Sequence, residues 1–217
     1  MSDVVRSRPP PTHEPNRVLG LDLGGTNIKG AIVETSAGSV PRVVHTDQGP
    51  TGADQGPEAV TRRLIELGRA AMTEAGAVEG AGVGVPGLFD FETGEVVFFT
   101  NLPGPWEGFP LRSRVADGLG VTVNLINDAR AFTLAEGTVG AGRGARTLAC
   151  LTLGTGIGGG LMIDGRLRFG AFGIAGELGH QTVQPGGPVC GCGNRGCLEA
   201  VARPPAIASA AGRTTIE

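Results

Sequence analysis

The sequence lacks the features of three broad classes of protein. Its 18 Lys and Arg residues are outnumbered by 21 Asp and Glu residues, and a net charge of −3 argues against a nucleic-acid surface. No apolar run approaches the length of a membrane span. Residues 1–16 are polar and rich in proline, without the hydrophobic segment of a signal peptide, so we predict a disordered tail there. We therefore expect a cytoplasmic protein with neither a nucleic-acid nor a membrane partner.

Glycine, in contrast, is abundant, with 39 residues among 217. The glycines follow no fixed period, which excludes collagen and linker sequences and indicates tight turns and close approach of the backbone to a ligand. Apolar runs and helical spacings alternate along the chain, which predicts an α/β fold with a lobe at 17–120 and a partial second lobe at 121–217. The predicted elements are hairpins at 17–34 and 148–163, strands at 40–45, 81–85, 95–99 and 121–126, and helices at 57–76, 111–119 and 129–137.

Two glycine-rich turns resemble each other, one within Asp22–Lys29 and one at residues 154–160. Backbone N–H groups exposed by glycines can bind phosphate oxygens, an aspartate can hold Mg²⁺, and a lysine can offset phosphate charge. Either turn alone could be an ordinary hairpin, but two such turns favour a nucleotide triphosphate gripped from both sides. The predicted nucleotide-binding residues are Asp22, Gly24, Gly25, Thr26, Lys29, Gly154, Thr155, Gly156, Gly158 and Gly159.

The pair Asn127-Asp128 stands where a predicted strand ends and a helix begins. Ligand sites in open α/β sheets lie outside the carboxyl ends of strands. Asp128 could cap the helix, which is the ordinary role of an aspartate at such a junction. It could instead accept the proton of an attacking hydroxyl, as one aspartate commonly does in phosphoryl transfer.

Three cysteines and a histidine, His180, Cys190, Cys192 and Cys197, lie close together in the sequence. Three thiolates and an imidazole form a complete tetrahedral ligand set for structural zinc, whereas incidental or disulfide-bonded cysteines are the alternative. Glu177 and Glu199 flank the cluster. Solvation is the usual role of such acids, but together with an imidazole they also suit the hydroxyls of a sugar.

These motifs together resemble those of the ROK family (repressors, open reading frames and sugar kinases), most closely its zinc-containing bacterial glucokinases. The resemblance runs from about residue 17 to 200 and implies an actin-like (ribonuclease H-like) fold in which two α/β lobes bind ATP and a sugar between them. Its carrying motifs are Leu21–Lys29, Gly82–Gly87, Asn101-Leu-Pro, Asn127-Asp128-Ala, Leu153–Gly160, Glu177-Leu-Gly-His180 and Cys190–Glu199.

The resemblance assigns roles to individual residues. It implies that Asp128 is the catalytic base of an ATP- and Mg²⁺-dependent hexose kinase, with glucose, phosphorylated to glucose 6-phosphate in glycolysis, as the first choice of substrate. It also implies structural Zn²⁺ at His180, Cys190, Cys192 and Cys197. The sugar contacts that it implies are Asn127, Asp128, Glu177, His180 and Glu199.

The chain departs from the family in two respects. It carries no helix-turn-helix ahead of residue 17, which disfavours a DNA-binding regulator, and it stops soon after the cysteine cluster, so we expect a truncated chain with an incomplete second lobe. Two alternatives therefore stay open: a catalytically inactive sugar-binding fragment, and a kinase for fructose, mannose or an N-acetylated sugar. Homo-oligomerisation is left open as well.

Overall fold

Three β-sheets and five α-helices form the part of the chain that the computed structural model describes, residues 16–36 and 39–214. The largest sheet has five strands in the order β3-β2-β1-β4-β7. Strands β1, β4 and β7 are parallel, and β2 pairs antiparallel with both β1 and β3. The strands of this sheet are β1 (Asn16–Leu23), β2 (Asn27–Thr35), β3 (Arg42–Pro50), β4 (Gly80–Val85) and β7 (Thr122–Asn127).

One face of this sheet is buried. In β1, Leu19, Leu21 and Leu23 point into the core, and the alternation of strand side chains places Asp22 on the opposite face. Two helices, α1 (Gly56–Ala75) and α2 (Leu111–Leu119), pack on the buried face. The buried residues of α1 recur at helical spacing, with Leu64 near the centre, because one stripe of the helix faces the sheet.

The second sheet is small and is covered by the third helix. It has the order β10-β9-β8, from β8 (Thr147–Leu153), β9 (Ile157–Ile163) and β10 (Arg166–Leu167), whereas the sequence predicted only the first two of these strands. Helix α3 (Asp128–Thr138) packs on β8 and β9. The short strand β10 was missed because two residues carry no periodicity.

The remaining elements are short. A separate hairpin consists of β5 (Gly87–Phe89) and β6 (Val96–Phe99), and 3₁₀ turns occur at Ala53–Gln55 and Leu178–His180. Helices α4 (Leu198–Ala202) and α5 (Pro204–Ala210) follow the cysteine cluster. Within residues 16–36 and 39–214, no helix is long and apolar enough to cross a membrane.

The strand that follows Gly120 pairs with β4 and completes the first sheet. The predicted division into lobes at 17–120 and 121–217 stays a prediction. A parallel neighbour is specified by long-range pairing, which a strand's own residues do not encode. The predicted tail, 1–16, lies outside the described residues except for Asn16, which begins β1.

Replacement of Leu64 by alanine tests the packing of α1 under the first sheet. Leu64 is fully buried, so Leu64→Ala should lower the free energy of unfolding by about 2–5 kcal/mol. Glu66→Ala is the matched control, because Glu66 is exposed on the same helix and should change that free energy by about 0.5 kcal/mol or less. Urea unfolding of both variants measures the difference, and equal effects would contradict this packing.

Candidate functional site

The turn between β1 and β2 requires both of its glycines. Gly24 donates its N–H to the Asn27 carbonyl at 3.1 Å, and a Cβ atom on Gly24 would lie 2.7 Å from that oxygen. A Cβ on Gly25 would lie 3.0 Å from the carbonyl oxygen of Asn101, so the loop at residue 101 packs directly against the turn. The turn is thus a close approach of two backbone segments, which explains why side chains are absent there.

Thr51, which is fully buried, holds the same turn in place by two hydrogen bonds. Its N–H donates to the Thr26 carbonyl at 2.9 Å, and its hydroxyl donates to the Gly24 carbonyl at 2.7 Å. The side chain of Thr26 stays exposed beside the turn. Thr51 could not be predicted from the sequence, because a threonine after a strand carries no local signal of a contact 27 residues away.

Two carboxylates lie at the same edge of the first sheet. Asp22 of β1 pairs in register with Gly84 of β4, and Gly84 pairs with Ile126 near the end of β7. Gly84, which has no side chain, is therefore the only residue between these positions of β1 and β7. A Cβ on Gly84 would lie 3.6 Å from Asp22 Oδ1 and 3.9 Å from the Cα of Asp128. Because β1, β4 and β7 are parallel, their carboxyl ends meet here, and Asn127-Asp128 follows the end of one of them.

Both carboxyl groups hold their protons more strongly than an ordinary aspartate. Burial, which removes water from the carboxylate, raises the pKa of Asp22, and the charge of Lys29 opposite it partly lowers that pKa. Burial also raises the pKa of Asp128; the N–H of Ala129 lowers it, and the charge of Asp22 raises it. A carboxylate with a raised pKa is a stronger base, which suits Asp128 to proton abstraction.

Asn127, not Asp128, caps helix α3. Asn127 has extended backbone angles, and its Oδ1 accepts the N–H of Arg130 at 3.2 Å. Its Nδ2 donates to the Gly87 carbonyl at 3.4 Å, which ties the cap to the β5–β6 hairpin. Asp128 is the first residue of the helix, so the capping role considered for it belongs to its neighbour.

The turn between β8 and β9 is linked to Glu199. Gly154 donates its N–H to the Gly156 carbonyl at 3.0 Å, and the N–H of Ile157 donates to Glu199 Oε2 at 2.9 Å. A Cβ on Gly156 would collide with that carboxylate oxygen. Gly154 and Thr155 are exposed at the tip. The turn therefore exposes Gly154 and Thr155, while Glu199 holds its end at Ile157 in place.

Gly158 and Gly159 lie inside β9 instead of at the tip. A Cβ on Gly158 would lie 2.8 Å from the Cβ of Ala129 on α3, and a Cβ on Gly159 would lie 2.8 Å from the Gly176 carbonyl oxygen. Packing alone explains why these positions are glycine. Their predicted contact with a nucleotide stays a prediction.

The four zinc-ligand candidates come together as the sequence predicted. The ligand atoms of His180, Cys190, Cys192 and Cys197 all lie within 4.8 Å of one another. His180 Nδ1 is 3.6 Å from Cys190 Sγ, and Cys192 Sγ is 3.7 Å from Cys197 Sγ. Zinc–nitrogen and zinc–sulfur bonds in a tetrahedron give edges of about 3.6 Å between N and S and about 3.8 Å between two S atoms. These two of the six ligand–ligand distances match a tetrahedral metal site, and the others are at most 4.8 Å.

Tight turns hold the cysteine cluster in shape. Cys190 donates its N–H to the Asn194 carbonyl at 2.8 Å, and the N–H of Leu198 donates to the Gln181 carbonyl at 2.9 Å. Gly196 has a φ of 71° and approaches the Gln184 carbonyl so closely that a Cβ would collide with it. Burial raises the pKa of the Cys190 thiol to about 11, so a cation that binds there would have to displace its proton.

A buried arginine, Arg130, joins two of the predicted sugar contacts and was missed by the sequence analysis. Its side chain is 2% exposed. Its backbone N–H binds Asn127, and its Nη2 donates to Glu177 Oε1 at 3.2 Å. An arginine on a helix is ordinarily a surface residue, so no local pattern marks it.

Comparisons with known proteins identify the family of this chain. The sequence profile of the ROK family matches residues 18–216. The glucokinase of Thermotoga maritima is 44% identical over 194 residues, which cover 88% of this chain and 58% of the glucokinase. The N-acetylmannosamine kinase of Citrobacter koseri is 37% identical over 195 residues, which cover 89% of this chain and 63% of that kinase.

Solved structures agree with the sequence relatives. The ROK hexokinase from Thermus thermophilus superposes with a TM-score of 0.79 at 41% identity, over 92% of this chain and 65% of that one. A ROK family glucokinase from Streptomyces griseus, solved in complex with glucose and AMPPNP, gives a TM-score of 0.76 at 35% identity, over 89% of this chain and 59% of that one. The chain spans less than two thirds of the length of each of these four proteins.

Replacement of Gly156 by alanine tests the link between the second turn and Glu199. The added Cβ should displace the Glu199 carboxylate and free the N–H of Ile157, so hydrogen exchange of the Ile157 amide should become at least about tenfold faster. Gly154→Ala is the matched control, because a Cβ there meets no atom within 4 Å. An unchanged exchange rate in Gly156→Ala would mean that Glu199 does not hold this turn.

Proposed function

Because the chain belongs to the ROK family, we propose that it transfers the γ-phosphoryl group of ATP to a hexose. The fold is the mixed α/β, actin-like fold of ROK sugar kinases, of which this chain covers part. The observation that carries the proposal is the position of Asp128. It begins α3 beside a capping asparagine, faces Asp22 across Gly84, and has a raised pKa.

Asp128 would act as the general base. The hydroxyl of the sugar donates its proton to the Asp128 carboxylate as its oxygen attacks the γ-phosphorus and the bond to ADP breaks. Asn127 is already ordered as the helix cap, so its side chain would contact the sugar at little entropic cost. Glu177, His180 and Glu199 would bind other hydroxyls, because carboxylate oxygens accept hydrogen bonds from hydroxyls and a ring nitrogen of His180 can donate or accept one.

The two glycine turns would hold the phosphates of ATP. The exposed tips at Thr26 and at residues 154–155 carry the hydroxyl and N–H donors that suit phosphate oxygens. Asp22, with Lys29 opposite it, is the candidate ligand for Mg²⁺, which when bound offsets the charge of the phosphates. Both turns lie at strand ends that their own glycines and close backbone contacts keep in place.

Zinc would have a structural role at His180, Cys190, Cys192 and Cys197. His180 Nδ1 is the ring nitrogen that faces Cys190, which would leave Nε2 for a sugar hydroxyl. Glu199 lies two residues beyond Cys197, and its Oε1 is 3.6 Å from Cys190 Sγ. The cluster would thereby fix two sugar contacts and the base of the second turn together.

Glucose is the preferred substrate in this proposal. The Thermotoga maritima relative is a glucokinase, and the Streptomyces griseus structure is a glucose complex. N-acetylmannosamine is the second candidate, since a kinase for that sugar is 37% identical to this chain. Structural zinc, a glycolytic role, a cytoplasmic location and homo-oligomerisation stay predictions.

Replacement of Asp128 by asparagine tests the proposed base. Asp128→Asn should lower kcat by at least about 10³-fold and leave sugar affinity within about tenfold, because an amide keeps hydrogen bonds but takes no proton. ADP release is measured with glucose, mannose, fructose and N-acetylmannosamine. Asp164→Asn, in an exposed hairpin turn, is the control and should leave kcat unchanged.

The pH profile of the parent chain gives a second readout. The base works as a carboxylate, so a raised pKa means that kcat/KM falls on acidification at a higher pH than the value of about 3.9 for an ordinary aspartate. Full turnover by Asp128→Asn would contradict the proposal. Sugar binding by the parent chain without ADP release would support the alternative of an inactive sugar-binding fragment.

Replacement of Cys192 by serine tests the metal site. The parent should contain about one zinc ion per chain, and Cys192→Ser should lose zinc and sugar affinity together, because the cluster holds His180 and Glu199. Cys150→Ala is the matched control, since Cys150 is buried in β8 away from the cluster and its loss should leave the zinc content unchanged. Elemental analysis and calorimetry measure both quantities. A metal-free parent with intact sugar affinity would contradict a zinc role.

A further inference from the structure

Arg130 makes four polar contacts from the first turn of α3. Besides the bond of its backbone N–H to Asn127, its Nη2 lies within hydrogen-bond distance of the carbonyls of Gly173 and Ala175 and of Glu177 Oε1, which share its two N–H groups. Its side chain is 2% exposed, and charged side chains are rarely so buried unless they are paired. The three acceptors all lie within residues 173–177, so one guanidinium holds this whole segment against α3.

Aromatic packing fixes the guanidinium from the other side. The Arg130 Cζ lies 5.4 Å from the centroid of the Phe169 ring, within the range of a cation–π contact. Phe169 in turn packs on Phe91 at 5.2 Å between centroids, and Phe91 belongs to the turn that follows β5. The arginine is therefore positioned by a cation–π contact as well as by hydrogen bonds, and a lysine would lose the planar group that lies over the ring.

Arg130 binds Glu177 and leaves its side chain partly exposed. The Arg130 contact uses Glu177 Oε1, and the Glu177 side chain remains 30% exposed. Immediately after Glu177 comes the 3₁₀ turn Leu178–His180, which packs against β9 at Gly179. Glu177 is thus a partly accessible carboxylate that lies between its contact with Arg130 and the packing of Gly179 on β9.

We propose that Arg130 is a positioning residue for sugar recognition: it orients Glu177 and residues 169–177 so that the free part of this carboxylate accepts hydrogen bonds from sugar hydroxyls. This inference rests on the proposed function. It assigns Arg130 no contact with the sugar or with ATP. Removal of the Arg130 charge would leave Glu177 without its ionic partner. A change at Arg130 should therefore alter sugar binding through the position of Glu177.

Steady-state kinetics of Arg130→Met separates this role from a catalytic one. The sugar KM should rise at least about tenfold, while kcat changes less than about threefold and the ATP KM less than about twofold. Arg130→Lys should give a smaller rise in the sugar KM, since it keeps the charge but loses the planar guanidinium over the Phe169 ring. Thr138→Val is the matched control: it removes a hydrogen bond to the Leu134 carbonyl at the far, exposed end of the same helix and should leave the sugar KM unchanged.

A double-mutant cycle tests whether Arg130 acts through Glu177. Glu177→Gln alone should raise the sugar KM by a similar factor, and the double variant Arg130→Met with Glu177→Gln should be no worse than the more damaged single variant. Fully multiplicative losses, or a sugar KM within about twofold of the parent in Arg130→Met, would overturn the inference.

Hydrogen exchange keeps the inference testable if the parent proves inactive. Amides of residues 169–177 should exchange at least about tenfold faster in Arg130→Met and at the parental rate in Thr138→Val. A parent chain that phosphorylates none of the four sugars would refute the proposed function, and the exchange rates would then decide whether Arg130 holds this segment. Unchanged exchange in Arg130→Met would overturn the inference whatever the activity.

Discussion

The close packing of the first turns of α3 against β9 is the contact on which the candidate site depends. Ala129 and Thr133 face Gly158 and Gly160, and a Cβ atom on either glycine would collide with the helix or lie 2.8 Å or less from it. The helix can therefore approach the second sheet only because β9 lacks side chains there. The same helix follows β7 directly, and Asn127, the last residue of β7, caps it at the carboxyl edge of the first sheet.

Three separate segments are fixed relative to this helix start. Gly84 leaves room between Asp22 and Asp128, so two carboxylates share one edge of the sheet. Arg130 draws residues 173–177 onto the helix, and Glu199 joins the cysteine cluster to the turn at residue 157. Hydrogen bonds and close backbone contacts, and not apolar burial, make these links, so each is directional and can place a functional group.

Local patterns predicted much of the architecture. The strand at 81–85 and the helices at 57–76 and 111–119 are within a few residues of the observed elements, and the side chains of the cysteine cluster come together, because spacing and period are local properties. The roles of the site residues stay predictions. The boundary near residue 120 and the roles of Arg130 and Thr51 depend on contacts between distant segments. Gly158 and Gly159 looked like part of a turn because composition does not distinguish a flexible glycine from a packed one.

The most direct test of the central claim is a crystal structure of the chain with glucose and a non-hydrolysable ATP analogue. The account predicts that one sugar hydroxyl lies about 2.6–3.2 Å from an Asp128 carboxylate oxygen and faces the γ-phosphate. Glu177, still bonded to Arg130, should contact another hydroxyl of the same sugar. A sugar bound without contact to Asp128, or a nucleotide bound away from the two glycine turns, would contradict the account.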